Sequence, residues 1–239
     1  MGLLSEEGVN VVHHYTPLHY LPFIGRDRAL RTKPSLAAKG FAPSHLRSKS
    51  SPHDVSRGFG KYGFLTLERH PQILAAKLKG GFPHVDIMVP ADVVDGTTYD
   101  LCRYNVAMTR QLRRGGKPGF SEAETNGRYY DTHQIPVART DSDKRAVLRK
   151  HYDHTMIEVL MHHDLPLPDE TRVQVYSSGD EALAKSTLNA LQVPWAVELV
   201  DPPGPYLRSS TYAQAVDEFI QKALSDPSWL GNGLEYDKV

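Results

Sequence analysis

The chain has 239 residues, with 28 basic and 28 acidic side chains, and 40% of its residues are hydrophobic. This length suits one domain spanning residues 1–239, and the hydrophobic content is enough for a buried core, which argues against a disordered chain. The formal net charge of zero excludes a global attraction to nucleic acid, so a nucleic-acid site would have to be a local basic patch.

The N-terminal segment does not look like a targeting sequence. It carries Glu6 and Glu7 and lacks the basic and apolar regions of a signal peptide. No stretch approaches the roughly 18 apolar residues of a membrane span. The single cysteine, Cys102, cannot form a disulfide within the chain and fits a small, partly buried residue better than a nucleophile. We therefore expect a cytoplasmic protein with no membrane partner.

The first half of the chain predicts short strands and short helices around a long loop. A strand at Val11–Tyr15 is followed by a short helix at Pro17–Ile24 that begins with proline. Arg31–Lys61 is rich in Ser, Pro, Gly and basic residues, which predicts a long functional loop. We then expect a strand at Tyr62–Leu67, a helix at Pro71–Leu78 ended by Gly80 and Gly81, and a strand at Val85–Val89.

The second half predicts a short helix at Asn105–Arg114 and a second irregular region at Lys117–Asp143. Beyond this region, apolar residues recur with helical spacing in some segments and form short apolar runs in others. The helices are expected at Lys144–Tyr152, Asp180–Leu191 and Thr211–Leu224, and the strands at Ile157–Met161, Arg172–Tyr176 and Trp195–Val200.

Many short strands with small interleaved helices, without regular βαβ alternation, favour an α+β fold. The sequence contains neither G-x-G-x-x-G nor G-x-x-x-x-G-K-[ST], so a Rossmann dinucleotide site and a P-loop are not expected. It also lacks the G-x-S-x-G elbow of α/β-hydrolases and the H-E-x-x-H zinc motif. Despite 12 histidines, we therefore predict no metal site.

Three blocks of sequence resemble the DarT-like ADP-ribosyltransferases, toxins that attach ADP-ribose from NAD to bases in DNA. The first block runs from His14 to Ile24 and resembles the family's opening "Y-H-I-T-H-I-D-N-L-P-S-I". The matching positions are His14, Thr16, Leu21, Pro22 and Ile24. The order and spacing of the three blocks, which span roughly residues 11–190, carry the resemblance more than any single motif does.

The second block comprises Ser51–Asp54, Gly63–Leu65 and Arg69–Pro71, and it resembles "H-D-Y-V-P-F-Y-F" followed by "R-S-P-M-L". In the third, an acidic and basic run at Asp141–Arg145 precedes His154–Met161, where the family has "A-E-F-L-V". Glu158 falls on the family's catalytic glutamate.

This sequence departs from the family pattern at three positions. Met156 stands where the family usually has Gln, and His19 and Tyr20 stand where it has Asp and Asn. These departures concern the identity of the acceptor that is modified more than the use of NAD as co-substrate.

The resemblance implies an ADP-ribosyltransferase-like fold with a split central β-sheet, small helices and two long functional loops, and NAD as co-substrate. It implies that the carboxylate of Glu158 stabilises the positive charge that grows on the ribose as nicotinamide leaves. It also implies that Arg47 or Arg57 contacts the diphosphate or helps to deprotonate the acceptor, because a guanidinium donates in a fork. The residues expected to contact NAD are His14, Tyr15, Thr16, Phe64 and Leu74.

The region before the glutamate combines a basic cluster with aromatic rings, a combination typical of sites that stack unpaired bases. We therefore expect a nucleic-acid acceptor, with DNA favoured over RNA. The residues expected to contact it are Arg103, Arg113, Arg114, Arg128, Tyr129, Tyr130 and His133.

A toxin of this kind also implies a neutralising partner, either an antitoxin or a macrodomain hydrolase. Two alternatives remain open at this point. One is an ADP-ribosyltransferase for a protein or small molecule, or an NAD glycohydrolase. The other is a non-catalytic nucleic-acid-binding domain.

Overall fold

A computed structural model of the chain describes residues 2–41, 59–69, 71–102, 137–150 and 157–230. Its strands are β1 (Val11–Pro17), β2 (Ala29–Leu30), β3 (Gly63–Thr66), β4 (His84–Pro90), β5 (Tyr99–Cys102), β6 (Val137–Ala138), β7 (Glu158–Met161), β8 (Leu165–Pro166), β9 (Arg172–Val175) and β10 (Ala196–Leu199). Its helices are α1 (Leu3–Glu6), α2 (Leu21–Asp27), α3 (Lys33–Ala38), α4 (Pro71–Leu78), α5 (Ala91–Asp95), α6 (Asp141–Lys150), α7 (Ser178–Ala190) and α8 (Ser210–Ser225), with a 3-10 turn at Leu18–Tyr20 before α2.

Eight of these strands form one sheet, in the order β10-β9-β4-β1-β3-β7-β5-β6. β9 and β10 are parallel, and the other neighbouring strands are antiparallel. β1 pairs with β4 along its whole length, whereas β1 and β3 are paired through His13 and Thr66 alone among the described residues. The predicted α+β fold is confirmed, and this short pairing between β1 and β3, called the seam below, gives the sheet the split that the resemblance implies.

One face of the sheet carries the main apolar core. Because side chains alternate along a strand, every second residue points to this face, and most of these positions are apolar, although His14 and Thr16 of β1 also project to it. Side chains from the helices cover them, including Leu21 of α2, Leu188 of α7 and Ile220 of α8. The buried strand residues on this face include Val12, Leu65, Ile87, Val89, Val159 and Val173. Most polar strand residues therefore project from the opposite face.

Most predicted elements lie where the sequence placed them. α4 has the predicted bounds, and its chain reverses at Gly80 and Gly81, whose φ angles are +85° and +75°. The predicted helix at Pro17–Ile24 is a 3-10 turn followed by α2. The remaining strands and the helices α7 and α8 are within one or two residues of their predicted bounds, which is the usual uncertainty of element ends.

Some sequence predictions were wrong. The start of the predicted loop Arg31–Lys61 forms α3, with Pro34 in its first turn, where a proline does not disturb helical hydrogen bonding. The end of the irregular region Lys117–Asp143 contains β6 and the start of α6, where the Thr140 hydroxyl accepts a hydrogen bond from the Asp143 amide. Besides α3 and β6, the strands and helices that the sequence prediction missed are α1, β2, α5, β5 and β8, all of five residues or fewer.

No helix in the described ranges is both long and apolar enough to span a membrane. The predicted helix at Asn105–Arg114 lies outside the described residues.

Candidate active site

Glu158 lies in a row of polar side chains that crosses three adjacent strands. In the strand register, His13 of β1 is opposite Thr66 of β3, and Thr66 is opposite Glu158 of β7. Residues directly opposite each other in an antiparallel pair project from the same face of the sheet. Strands are spaced about 4.8 Å apart, so the His13 and Glu158 backbones lie about 10 Å apart on either side of Thr66. This row, called the polar row below, crosses the seam on the face away from the main core.

His13 is held by a buried carboxylate on the neighbouring strand. Its Nδ1 lies 2.8 Å from Oδ2 of Asp86, which belongs to β4 and is fully buried. Asp86 is opposite Tyr15 in the register, so the contact runs diagonally across the two strands, a separation that long side chains can bridge. His13 and Tyr15 project from the same side of β1, with ring centroids 6.4 Å apart.

Two oxygens near this pair are buried without a hydrogen-bond partner among the described residues: Oγ1 of Thr66 and Oδ1 of Asp86. Buried polar atoms in folded proteins almost always have a partner, so unpaired ones call for an explanation. Glu158 is itself 7% exposed. One of these oxygens lies beside Glu158 in the polar row, and the other belongs to the carboxylate that holds His13.

Apolar clusters lie on both sides of the seam. On the β1 side, Tyr15 packs with Leu74 and Leu78 of α4 and with Tyr176. Burial, with Asp86 nearby, raises the pKa of Tyr176, so its phenol stays protonated. On the β7 side, Phe64 packs against a cluster of Phe59, Tyr62, Cys102 and Leu160. Of the residues predicted to contact NAD, Tyr15, Leu74 and Phe64 therefore flank the polar row.

The other two predicted NAD contacts, His14 and Thr16, occupy different positions. Side-chain alternation along β1 places both on the opposite side of the strand from His13 and Tyr15. Nδ1 of His14 lies 3.0 Å from the Phe64 carbonyl oxygen, which ties its ring to β3. Burial lowers the pKa of His14, although the Phe64 carbonyl partly offsets this, so the imidazole is neutral near pH 7. The register groups His13, not His14, with Glu158.

The described residues also form a cavity of about 530 Å³, but it does not contain Glu158. It lies beyond the opposite end of β7, where Tyr62, His162 and Asp164 belong to its wall. The Asp164 carboxylate there accepts hydrogen bonds from Nη1 of Arg31, at 2.7 Å, and from the Thr32 amide. The chemistry of the polar row is therefore a better guide to the site than the size of this cavity.

Other predicted site residues lie outside the described ranges. They are Arg47, Arg57, Arg103, Arg113, Arg114, Arg128, Tyr129, Tyr130 and His133. Their roles remain predictions. Within the ranges that are described, no group of three or more His, Cys, Asp or Glu side chains is arranged to hold a metal ion.

The sequence prediction did not name His13, Thr66 and Asp86, which strand pairing brings to the polar row or into contact with it, although the signal for their placement was present. In β4, Val85, Ile87 and Val89 alternate with other residues and mark the core face, which places Asp86 on the other face. In β3, Leu65 marks the core face in the same way and leaves Thr66 opposite. Applied to Val12 in β1, this alternation places His13 on the face of Thr66 and Glu158, and His14 on the core face.

Neither a protein-family model nor a curated protein sequence matches the chain. Solved structures of DarT from Thermus sp. 2.9 do match. Its complex with ADP-ribosylated ssDNA aligns with 83% of this chain and 97% of its own, with a TM-score of 0.54 and 14% identity. Its complex with NAD+ aligns with 84% of this chain and 98% of its own, with a TM-score of 0.53 and 14% identity. The chain therefore has the fold of DarT, as the resemblance in its sequence implied.

Proposed function

We propose that this protein is an NAD-dependent ADP-ribosyltransferase that attaches ADP-ribose to a nucleobase, with DNA favoured over RNA, and releases nicotinamide. The observation that carries the proposal is the position of Glu158 in the polar row with Thr66 and His13, in a fold shared with DarT. The resemblance assigns the catalytic role to Glu158, and the strand register gives this glutamate polar neighbours suited to a sugar.

The proposed chemistry needs a fixed carboxylate. As the bond between the ribose C1′ and the nicotinamide nitrogen breaks, its electron pair leaves with nicotinamide and positive charge grows on the ribose. The Glu158 carboxylate stabilises this charge from one side of the sugar, as carboxylates do in glycosidases. A ring nitrogen of the base then bonds to C1′ and loses its proton. The resemblance assigns contact with the diphosphate or help with this deprotonation to Arg47 or Arg57.

The side chains of the polar row fit the ribose part of NAD. Ribose hydroxyls both donate and accept hydrogen bonds, and the unpaired oxygens of Thr66 and Asp86 need such partners. The flanking rings of Tyr15 and Phe64 offer apolar surfaces for the planar parts of the molecule. We assign the first contact with NAD to His13 because it shares the row with Glu158, and we assign Tyr15, Phe64 and Leu74 to the walls.

The nucleic-acid acceptor rests on the fold and on the sequence. The DarT structures of the same fold include one with ADP-ribosylated ssDNA and one with NAD+. The predicted acceptor residues between Arg103 and His133 combine cations with aromatic rings, as single-strand binding requires. As a toxin acting on DNA in the cytoplasm, the protein would need an antitoxin or a macrodomain hydrolase as its neutralising partner.

The test is to incubate the protein with NAD and a mixture of single-stranded oligonucleotides, and to measure ADP-ribose adducts by mass spectrometry. We expect Glu158→Gln to lower the rate by about 10²- to 10³-fold, because it removes the charge that stabilises the transition state. The matched control is Glu198→Gln, which changes a strand glutamate of the same sheet that lies on β10 and is bonded to Arg172 and Gln174. The control should leave the rate unchanged.

Other results would select other functions. Nicotinamide release without adducts would identify an NAD glycohydrolase, and adducts on protein would identify a different acceptor. Salt-sensitive binding of oligonucleotides without NAD consumption would identify a binding domain and contradict the proposal.

A further inference from the structure

Asp86 is unusual for its position in the sheet. β4 is otherwise dominated by buried apolar residues, and it lies in the interior of the sheet between β1 and β9. Burying a carboxylate there is unfavourable unless it is paired, and among the described residues Asp86 is paired through one oxygen only, with Nδ1 of His13. A buried and paired carboxylate is weak evidence of a stabilising role, since apolar residues of similar volume often stabilise a fold as well or better. The pair therefore calls for another explanation.

The geometry of the pair restricts the imidazole of His13. A neutral imidazole has one N–H donor and one acceptor nitrogen, and the hydrogen bond at one nitrogen decides the role of the other. A carboxylate can only accept, so Nδ1 carries the proton that is donated to Asp86. In the neutral ring, Nε2 is then an acceptor, and it makes no hydrogen bond with the described residues.

We propose that Asp86 is a positioning residue that fixes the orientation and tautomer of His13, so that Nε2 accepts a hydrogen bond from a ribose hydroxyl of NAD. This inference rests on the proposed function. Its physical basis is the general behaviour of histidines at functional sites, where a carboxylate behind the ring sets which nitrogen faces the ligand. Asp86 acts through His13, whereas Glu158 acts on the sugar itself.

The same face of the sheet supplies a matched comparison. Asp100 of β5 is also buried, and it lies 2.9 Å from Nε2 of His162. This second pair contains no residue of the polar row. Asp100→Asn therefore makes the same chemical change to a buried Asp that contacts a half-buried His, without altering His13.

The test compares Asp86→Asn, Asp100→Asn and the unchanged protein with two measurements. Nitrogen-15 NMR of the histidine side chains reports the tautomer of His13, assigned by its loss in His13→Asn, and it does not depend on activity. Steady-state kinetics with NAD report kcat and KM separately. We expect Asp86→Asn to abolish the preference for the Nδ1–H tautomer and to lower kcat/KM by about 10- to 100-fold, mostly through KM. Asp100→Asn should change neither measurement.

A second variant keeps the proposal testable if Asp86→Asn does not fold. In His13→Asn, the shorter side chain places its amide near the position of Nδ1, where it can still donate to Asp86, but it has no group at the position of Nε2. We expect it to fold and to show the same rise in KM. A His13 that carries its proton on Nε2 in the unchanged protein would overturn the proposal, and so would an unchanged KM in either variant. If the unchanged protein consumes no NAD, the proposed function fails instead, and the NMR result alone decides whether Asp86 sets the tautomer.

Discussion

At the scale of single residues, neighbouring positions in one strand have different partners. Nδ1 of His13 contacts a buried carboxylate, whereas Nδ1 of His14 contacts a backbone carbonyl of β3. Thr66, which lies between the strands of His13 and Glu158, has a buried hydroxyl with no partner among the described residues. A buried hydroxyl without a partner lowers the stability of the fold, and a hydrogen bond to a bound ligand would offset that cost.

We predict that Thr66→Val raises the KM for NAD by about 3- to 10-fold, the effect of losing one hydrogen bond. Because the lost hydroxyl has no partner in the described structure, the thermal midpoint should stay the same or rise. The control is Thr171→Val, which removes another buried hydroxyl, just before β9, that has no partner within the described ranges. Kinetics with NAD and thermal unfolding of both variants check this prediction, and an equal KM in the two would contradict it.

At the scale of elements, the turn after α4 depends on a close backbone approach. Gly81 has a φ of +75°, and its carbonyl accepts a hydrogen bond from the Ser209 amide, 3.0 Å away, just before α8. A Cβ on Gly81 would lie 2.2 Å from the carbonyl oxygen of Leu207. This glycine thus joins the end of α4, beside the candidate site, to the start of α8.

We predict that Gly81→Ala destabilises the protein by about 1 to 3 kcal/mol more than Gly8→Ala does, the typical cost of overpacking. Gly8 is the matched control because its φ is +85° but a Cβ there would meet nothing within 4 Å. Both variants carry the strain of a left-handed residue, about 1 to 2 kcal/mol, so the difference isolates the steric clash. Equal unfolding free energies in urea would contradict the role of the close approach.

At the scale of the whole molecule, an aromatic cluster joins the first strand to the last helix. The ring of His19, in the 3-10 turn after β1, is 4.8 Å from that of Phe219 in α8 and 5.7 Å from that of Phe82 before β4. His19 is fully buried, and neither of its ring nitrogens has a hydrogen-bond partner in the described part of the chain. Burial lowers the pKa of His19 to about 3.

This burial predicts a pH dependence of stability. The folded pKa of His19 lies below the unfolded value of 6.5, so protonation favours the unfolded chain. Its contribution to stability is fully present above pH 6.5 and is lost as the pH falls from 6.5 towards 3. Between pH 7.5 and 5.5 we expect the unfolding free energy to drop by about 1.4 kcal/mol through this residue.

Urea unfolding at the two pH values measures this effect, and His19→Phe should remove it because phenylalanine does not titrate. The control is His163→Phe, which makes the same substitution at an exposed histidine. A pH dependence that survives in His19→Phe unchanged would assign the effect to other groups.

The sequence by itself determined the α+β class, most strands and the long helices, because apolar periodicity and capping signals act over a few neighbouring residues. It missed α1, β2, α3, α5, β5, β6 and β8, since elements of two to six residues leave no clear period and form through tertiary pairing. The resemblance of the sequence to the DarT-like family also identified Glu158 as the candidate catalytic residue. In the structure, Glu158 lies in the polar row with Thr66 and His13.

The tertiary structure decided which residues stand beside Glu158. Strand register joins His13, Thr66 and Glu158, which lie far apart in the chain. A shift of the register by one residue would place His14 in the row in place of His13. The contact between Asp86 and His13 depends on the same pairing, 73 residues apart. Local sequence sets which face a side chain takes within its own strand, but only the packing of strands against one another decides which side chains meet.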